Sequence, residues 1–223
     1  MQAAIFDFDG VIVNSEPAHF RSLRDALALE GVFVTEEEYY SSLLAYDDHG
    51  AIRIALETRG LAWDSKERTR IATRKAEIFE ALLPEVPFFA GAAEFVRAMA
   101  ATVPVAIASG ARRGEIEAIL TAGGLLDAFS AIVGADDVEN TKPHPEPYLR
   151  AAALLSKNGH GIPPASCLAI EDSVPGIAAA RAAGMKVLGV TNSYHAERLN
   201  LAHRVVATLA EVRPADLRAL FEE

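Results

Sequence analysis

From Val103 onward, short apolar runs keep returning: VPVAIAS, AIVGA, CLAIE, KVLGVT and RVVATL. Helical patterns separate them, among them RRGEIEAILTAGG, PEPYLRAAALLSKNG, PGIAAARAAG and HAERLNLA. A strand with no polar face must be covered on both sides. Strands alternating with helices achieve this as a parallel sheet with helices on both faces. The N-terminal run AAIFDF adds one more such strand. The expected core is therefore α/β, a Rossmann-like parallel sheet. Gly123, Gly124, Gly159 and Gly184 stand where helix ends should fall.

Residues 16–86 read differently. PAHFRSLRDALALEG, TEEEYYSSLLA, HGAIRIALETRG and SKERTRIATRKAEIFEALL show helical periodicity and no strand run. Thr35 and Glu38 have the spacing of a capping box. This is a small α-helical module inserted after the first strand of a core made of residues 1–15 and 87–223. The hinges are expected at NSEP, 14–17, and PEVP, 84–87.

Of the 223 residues, 51% are hydrophobic, enough for a globular core. No apolar run approaches a membrane span, and no leader pattern opens the chain. A lone cysteine, Cys167, forms no internal disulfide, suits a reducing compartment and reads as an inert core thiol. A net charge of −10 disfavours nucleic acid and anionic membranes. The expectation is a cytoplasmic monomer with neither as a partner.

Ligands of open parallel sheets bind beyond the carboxyl ends of the strands. Asp7 and Asp9 close the first strand and lean the same way. Ser109 closes VAIAS, with Gly110 behind it. Glu171 and Asp172 close CLAIE, and Lys142 follows the AIVGADDV strand. Clustered carboxylates need a cation, and a hard dication with oxygen ligands, Mg²⁺ first, suits them. Asp7, Asp172 and a main-chain carbonyl near Asp9 would hold it. Asp7 is also placed to attack phosphorus, while Lys142, Ser109 and nearby N–H groups offset the phosphate charge. Asp9 would move the protons.

DFDGVIVNSE, IASG, TKPHPEPY and IEDSVPGI together resemble the four motifs of the haloacid dehalogenase superfamily. The resemblance is to its phosphatase and beta-phosphoglucomutase-like branch, in which a helical cap sits where residues 16–86 lie. It implies Asp7 as nucleophile, Asp9 as general acid/base, and Ser109 and Lys142 as phosphate binders. It also implies Asp172 as metal ligand and Glu171 as its acidic neighbour behind it.

Two departures from the pattern stand out, the second of them bearing on function. Asn14 stands where relatives with this opening usually carry aspartate. The cap loop of beta-phosphoglucomutase carries a lysine and an arginine for a second phosphate. Here the loop offers Tyr46, Asp47, Asp48 and His49, whose carboxylates would oppose one. His19 matches a histidine near the mutase hinge. Asp47 and Asp48 also read as helix N-caps, and Tyr39 and Tyr40 as packing. The implied activity is a Mg²⁺-dependent phosphatase acting on a small phosphorylated metabolite, a sugar or polyol phosphate. A sugar phosphomutase and a receiver-type phosphoacceptor are the alternatives.

Overall fold

The computed structural model describes residues 1–44, 46–157 and 160–222. The chain divides into two compact units, Met1–Asn14 with Pro87–Glu223, and Ser15–Val86. Where the chain leaves and re-enters the larger unit, Asn14 N donates to Pro87 O at 2.9 Å, and Val13 bridges Phe88 antiparallel.

The larger unit is built on six strands: β1 (Ala3–Phe6), β2 (Val105–Ala108), β3 (Ala131–Val133), β4 (Cys167–Glu171), β5 (Lys186–Val190) and β6 (Arg204–Val206). All pairings are parallel, in the order β3-β2-β1-β4-β5-β6. The chain thus winds outward from β1 in one direction, then restarts at β4 on the other side of β1. The crevice for a ligand in such a sheet opens at this reversal, between the carboxyl ends of β1 and β4. Register fixes which residues meet there. Phe6 pairs with Ile107 and Ile170, so Asp7 is level with Ala108 and Glu171.

The smaller unit holds α1 (Glu16–Ala28), α2 (Asp48–Glu57) and α3 (Ser65–Leu82). Leu23, Ala26 and Leu27 of α1, and Ile52, Ala55 and Leu56 of α2, keep i, i+3, i+4 spacing and share one buried cluster with Ile71 of α3. Asp64 and Glu67 close a full capping box on α3. Thr35 accepts from Glu38 N, but its helix is only three residues long and passes into a π turn over Tyr39–Leu43.

In the larger unit, α4 (Ala92–Ala100), α5 (Arg113–Ala122), α6 (Glu146–Leu154) and α7 (Val174–Ala182) cover both faces of the sheet. Alternation divides β1 between them. Ala3 and Ile5 pack with Tyr148 and Ala151 of α6 and Ile177 of α7. Phe6 points the other way, edge-on to Phe95 of α4 with ring centroids 6.0 Å apart, and to Phe129 at 6.1 Å.

Two expectations need correction. The helix beginning near Pro145 stops at Leu154 rather than running to residue 159. Leu155 leaves the helical region, and a two-stranded hairpin, Ser156–Lys157 with His160–Gly161, follows. Ser, Asn and Gly favour turns over helix interiors; Gly159 itself lies outside the described residues. HAERLNLA forms only a 3₁₀ turn, Ala196–Leu199, in which Leu199 alone is buried, too little apolar surface to hold a longer helix. The C-terminal segment Pro214–Phe221, with no assigned element in the sequence reading, is a 3₁₀ run anchored by buried Leu217.

Phe6 is fully buried between these layers. Phe6→Ala is expected to cost about 3–5 kcal/mol, read as a fall in the urea midpoint.

Candidate active site

Asp7 leaves β1 with its backbone N–H still on Ile170 O at 2.9 Å, so its position is set by the β1–β4 pairing. Phe8 N donates to Asp7 Oδ1 at 2.7 Å. The chain then turns tightly, with Ile12 N on Phe8 O at 2.9 Å and Gly10 N on Val13 O at 2.9 Å. Half-buried Asp9 lies within this turn and bridges Val13. Gly10 has φ +77°, and a Cβ there would overlap the Asp172 carboxylate. Both the backbone and the space require glycine.

Among the described residues, Asp7, Glu171 and Asp172 each bring a carboxylate oxygen within 4.8 Å of the others, and all three are buried. Lys142 supplies a cation, its Nζ lying 2.9 Å from Asp7 Oδ1 and 2.6 Å from Glu171 Oε1. Glu171 is fully enclosed and its oxygens are taken. Oε1 accepts from Lys142 and from Tyr148 OH at 2.8 Å. Oε2 accepts from Asp172 N and Ser173 N, each at 3.1 Å, and from Ser173 Oγ at 2.9 Å. Ser173 in turn caps α7 by accepting from Gly176 N. Glu171 therefore anchors the site from behind, while the Asp7 and Asp172 carboxylates are not so saturated. Asp172 Oδ2 accepts from Ser193 Oγ, and Asn192 Nδ2 donates to Gly10 O at 2.7 Å.

The charges follow from this arrangement. Burial pushes Asp7 well above the usual carboxylate range; the Glu171 charge adds to this and Lys142 opposes it. Burial and then Glu171 raise Asp172 to about 7. Burial would raise Glu171 too, but Lys142 and the hydrogen bonds outweigh it and hold Glu171 below its ordinary value. Burial would lower Lys142, yet Asp7 and Glu171 carry it above its ordinary value. One lysine among three carboxylates leaves Asp7 and Asp172 short of positive charge. An oxygen donor set with that deficit fits a hard divalent cation.

Ser109 is buried just beyond β2. Its N–H reaches Val133 O at 3.0 Å, and its Oγ accepts from Ala111 N at 3.0 Å. Gly110 next to it is exposed. Asp7, Lys142, Glu171 and Asp172 thus form one contact set, with Ser109 and Gly110 at the adjacent strand end.

In the smaller unit, Asp47 caps α2 by accepting from Gly50 N at 2.8 Å. Asp48 is not a cap; it is the first residue of α2 and pairs with Lys75 at 2.9 Å. Lys75 Nζ also lies 3.0 Å from His19 Nδ1, and His19 stacks on Phe79 at 4.1 Å. Burial, with help from the Lys75 charge, lowers His19 to about 4. Tyr39 donates to Glu16. Tyr46 and His49 are exposed. Lys75 escaped the sequence reading, although its signal was present: it is the one cation on the buried stripe Ile71, Lys75, Phe79, Leu82. Tyr148 lies in a helical pattern with nothing to mark its hydroxyl, and Asn192 and Ser193 lie in a loop without periodicity.

A model of haloacid dehalogenase-like hydrolases matches residues 1–184. The chain belongs to this family. It is a hydrolase of the branch that resembles beta-phosphoglucomutase and sugar phosphatases. It is 30% identical over 219 residues to hexitol phosphatase B of Escherichia coli K12, with 96% of each chain covered. Its fold matches CbbY of Rhodobacter sphaeroides, solved in complex with phosphate, with a TM-score of 0.79 at 28% identity over 98% of this chain and 99% of the other. A putative beta-phosphoglucomutase of Thermotoga maritima matches with a TM-score of 0.79 at 25% identity, over 100% and 99% of the two chains. No helix among the described residues is long and apolar enough to cross a membrane.

Two variants probe these clusters. A Cβ at Gly176 would overlap the pinned Glu171 carboxylate. Gly176→Ala is expected to cost about 1–3 kcal/mol by denaturant titration and to lower turnover. His19 stays neutral in the fold down to about pH 4, whereas an unfolded chain protonates it near 6.5. The unfolded state then binds more protons between these values, so stability falls as pH drops from 6.5 toward 4. His19→Gln is expected to lose less melting temperature than wild type between pH 7 and pH 4.5; equal losses would contradict the assignment.

Proposed function

We propose that this chain is a Mg²⁺-dependent phosphatase that hydrolyses a small phosphomonoester, a sugar or polyol phosphate, through a phosphorylated Asp7. The observation that supports it most is the buried set at the β1–β4 reversal: Asp7 against Lys142 Nζ at 2.9 Å, with Asp172 alongside. Asp7, Asp172 and the main-chain carbonyl at Asp9 would hold the metal ion. The ion, when bound, screens the repulsion between carboxylate and phosphate and polarises the phosphoryl group.

The steps belong to side chains. An Asp7 oxygen attacks phosphorus as the ester oxygen departs. Asp9 gives its proton to that oxygen, releasing an alcohol and leaving an acyl phosphate on Asp7. Asp9 then takes a proton from water, which attacks the phosphorus. The P–O bond to Asp7 breaks, and inorganic phosphate and the free carboxylate return. Lys142 and Ser109, with the N–H groups around Gly110, hold the phosphoryl oxygens. Glu171 keeps Lys142 and the start of α7 in place.

A mutase reading draws on the likeness to a putative beta-phosphoglucomutase. The acidic cap loop weighs against it: Tyr46, Asp47, Asp48 and His49 contribute no fixed cation, and Asp48 already neutralises Lys75. A carboxylate-bearing loop suits an uncharged, hydroxylated leaving group better than a second phosphate. Membership in a hydrolase family weighs against a receiver-type phosphoacceptor.

Phosphate release from a panel of phosphomonoesters tests the reading. We expect turnover with Mg²⁺, loss with chelator, and a loss of at least about 10³-fold in Asp7→Asn, the scale of removing a nucleophile. Sugar and polyol phosphates should rank above nucleotides. Turnover that survives in Asp7→Asn would overturn the assignment of the nucleophile.

A further inference from the structure

Tyr148 is an aromatic residue with no part in the chemistry above, yet it touches two groups that have one. It lies on α6, fully buried, in the cluster with Ala3, Ile5, Ala151 and Ala152. Packing alone asks only for its ring. Its hydroxyl nevertheless finds a site group, donating to Glu171 Oε1 at 2.8 Å, the same oxygen that Lys142 engages at 2.6 Å. The face of its ring lies 5.1 Å from Lys142 Nζ.

We propose that Tyr148 is a positioning residue of the phosphate-binding lysine. Its hydroxyl shares Glu171 Oε1 and its ring supports the ammonium, and together they set how Lys142 divides itself between Glu171 and Asp7. The inference rests on the reading of Lys142 as the phosphoryl-binding cation. The physical reason is competition for one oxygen. Glu171 Oε2 is already occupied by Asp172 N, Ser173 N and Ser173 Oγ. Only Oε1 can pull on Lys142, and the Tyr148 hydroxyl takes up part of its charge. Without that donor, Lys142 becomes the sole partner of Oε1 among the described residues and is drawn toward Glu171, away from Asp7 and from a phosphoryl group placed on it. The ring offers a second, weaker hold that keeps Nζ from drifting along the carboxylate.

Tyr148→Phe separates the two holds, since it keeps the ring and removes only the hydroxyl. The test compares wild type and Y148F by kcat and KM on a phosphomonoester that wild type hydrolyses. Calorimetry then measures binding of inorganic phosphate in Mg²⁺, and binding of Mg²⁺ alone, on the same samples. We expect kcat/KM and phosphate affinity to fall about tenfold in Y148F, the scale of one hydrogen bond to a charged group, with Mg²⁺ affinity unmoved. Unchanged kinetics and phosphate binding would overturn the proposal and leave the phosphatase reading intact. A joint fall in phosphate affinity, Mg²⁺ affinity and melting temperature would also overturn it, since it would assign Tyr148 to packing only. A wild type that neither hydrolyses phosphomonoesters nor binds phosphate would remove the reading beneath it. Should Y148F unfold, 3-fluorotyrosine at position 148 keeps ring and hydroxyl while altering donor strength. The same phosphate-specific shift is then expected, and its absence would overturn the proposal.

Discussion

The ammonium of Lys142, shared between Asp7 and Glu171 in a buried crevice, is the interaction around which the rest of the site is arranged. Carboxylates removed from water are costly unless a cation or a proton accompanies them. The sheet forces the issue. Parallel strands end on the same edge, and the reversal of winding between β1 and β4 sets Asp7 beside Glu171 and Asp172. One lysine does not balance three carboxylates. Burial and Glu171 push Asp7 and Asp172 toward their protonated forms, and that deficit is the physical reason the site suits a divalent cation.

Neighbours in sequence carry different duties because the strand edge gives them different partners. Glu171 is enclosed and saturated by five donors from Lys142, Tyr148, Asp172 and Ser173, so it works as a fixed anchor. Asp172 meets instead the turn after β1, at Gly10, and the loop after β5, at Ser193. Two glycines make this approach possible: Gly10 gives space to Asp172, and Gly176 to Glu171. In the helical unit a buried lysine, Lys75, meets Asp48 and neutral His19, so each unit sets a lysine against acidic company.

The strands of the larger unit and the positions of Asp7, Ser109, Lys142, Glu171 and Asp172 were legible because two-sided burial leaves unbroken apolar runs. Polar residues closing such runs stand out against them. Helix lengths were less legible. The segment after Leu154 and the HAERLNLA segment keep a helical pattern for a turn or two, but turn-forming residues or scant burial end them. Nothing in the helical pattern around Tyr148 marks its hydroxyl; only three-dimensional packing shows it reaching a carboxylate 23 positions away. Ser193 and Asn192 lie in an irregular loop whose path over the β1 turn has no periodic trace in sequence. Lys75 was visible as a cation on an apolar stripe, but its partners Asp48 and His19 come from two other helices.

The central claim is that Asp7 becomes covalently phosphorylated during turnover. Acid quenching within the first turnover of a hydrolysed phosphomonoester, followed by peptide mass spectrometry, tests it most directly. The account predicts one phosphoryl adduct on the peptide containing Asp7, gone after further incubation and never formed by Asp7→Asn. Turnover with no adduct, or with an adduct on another residue, would contradict it.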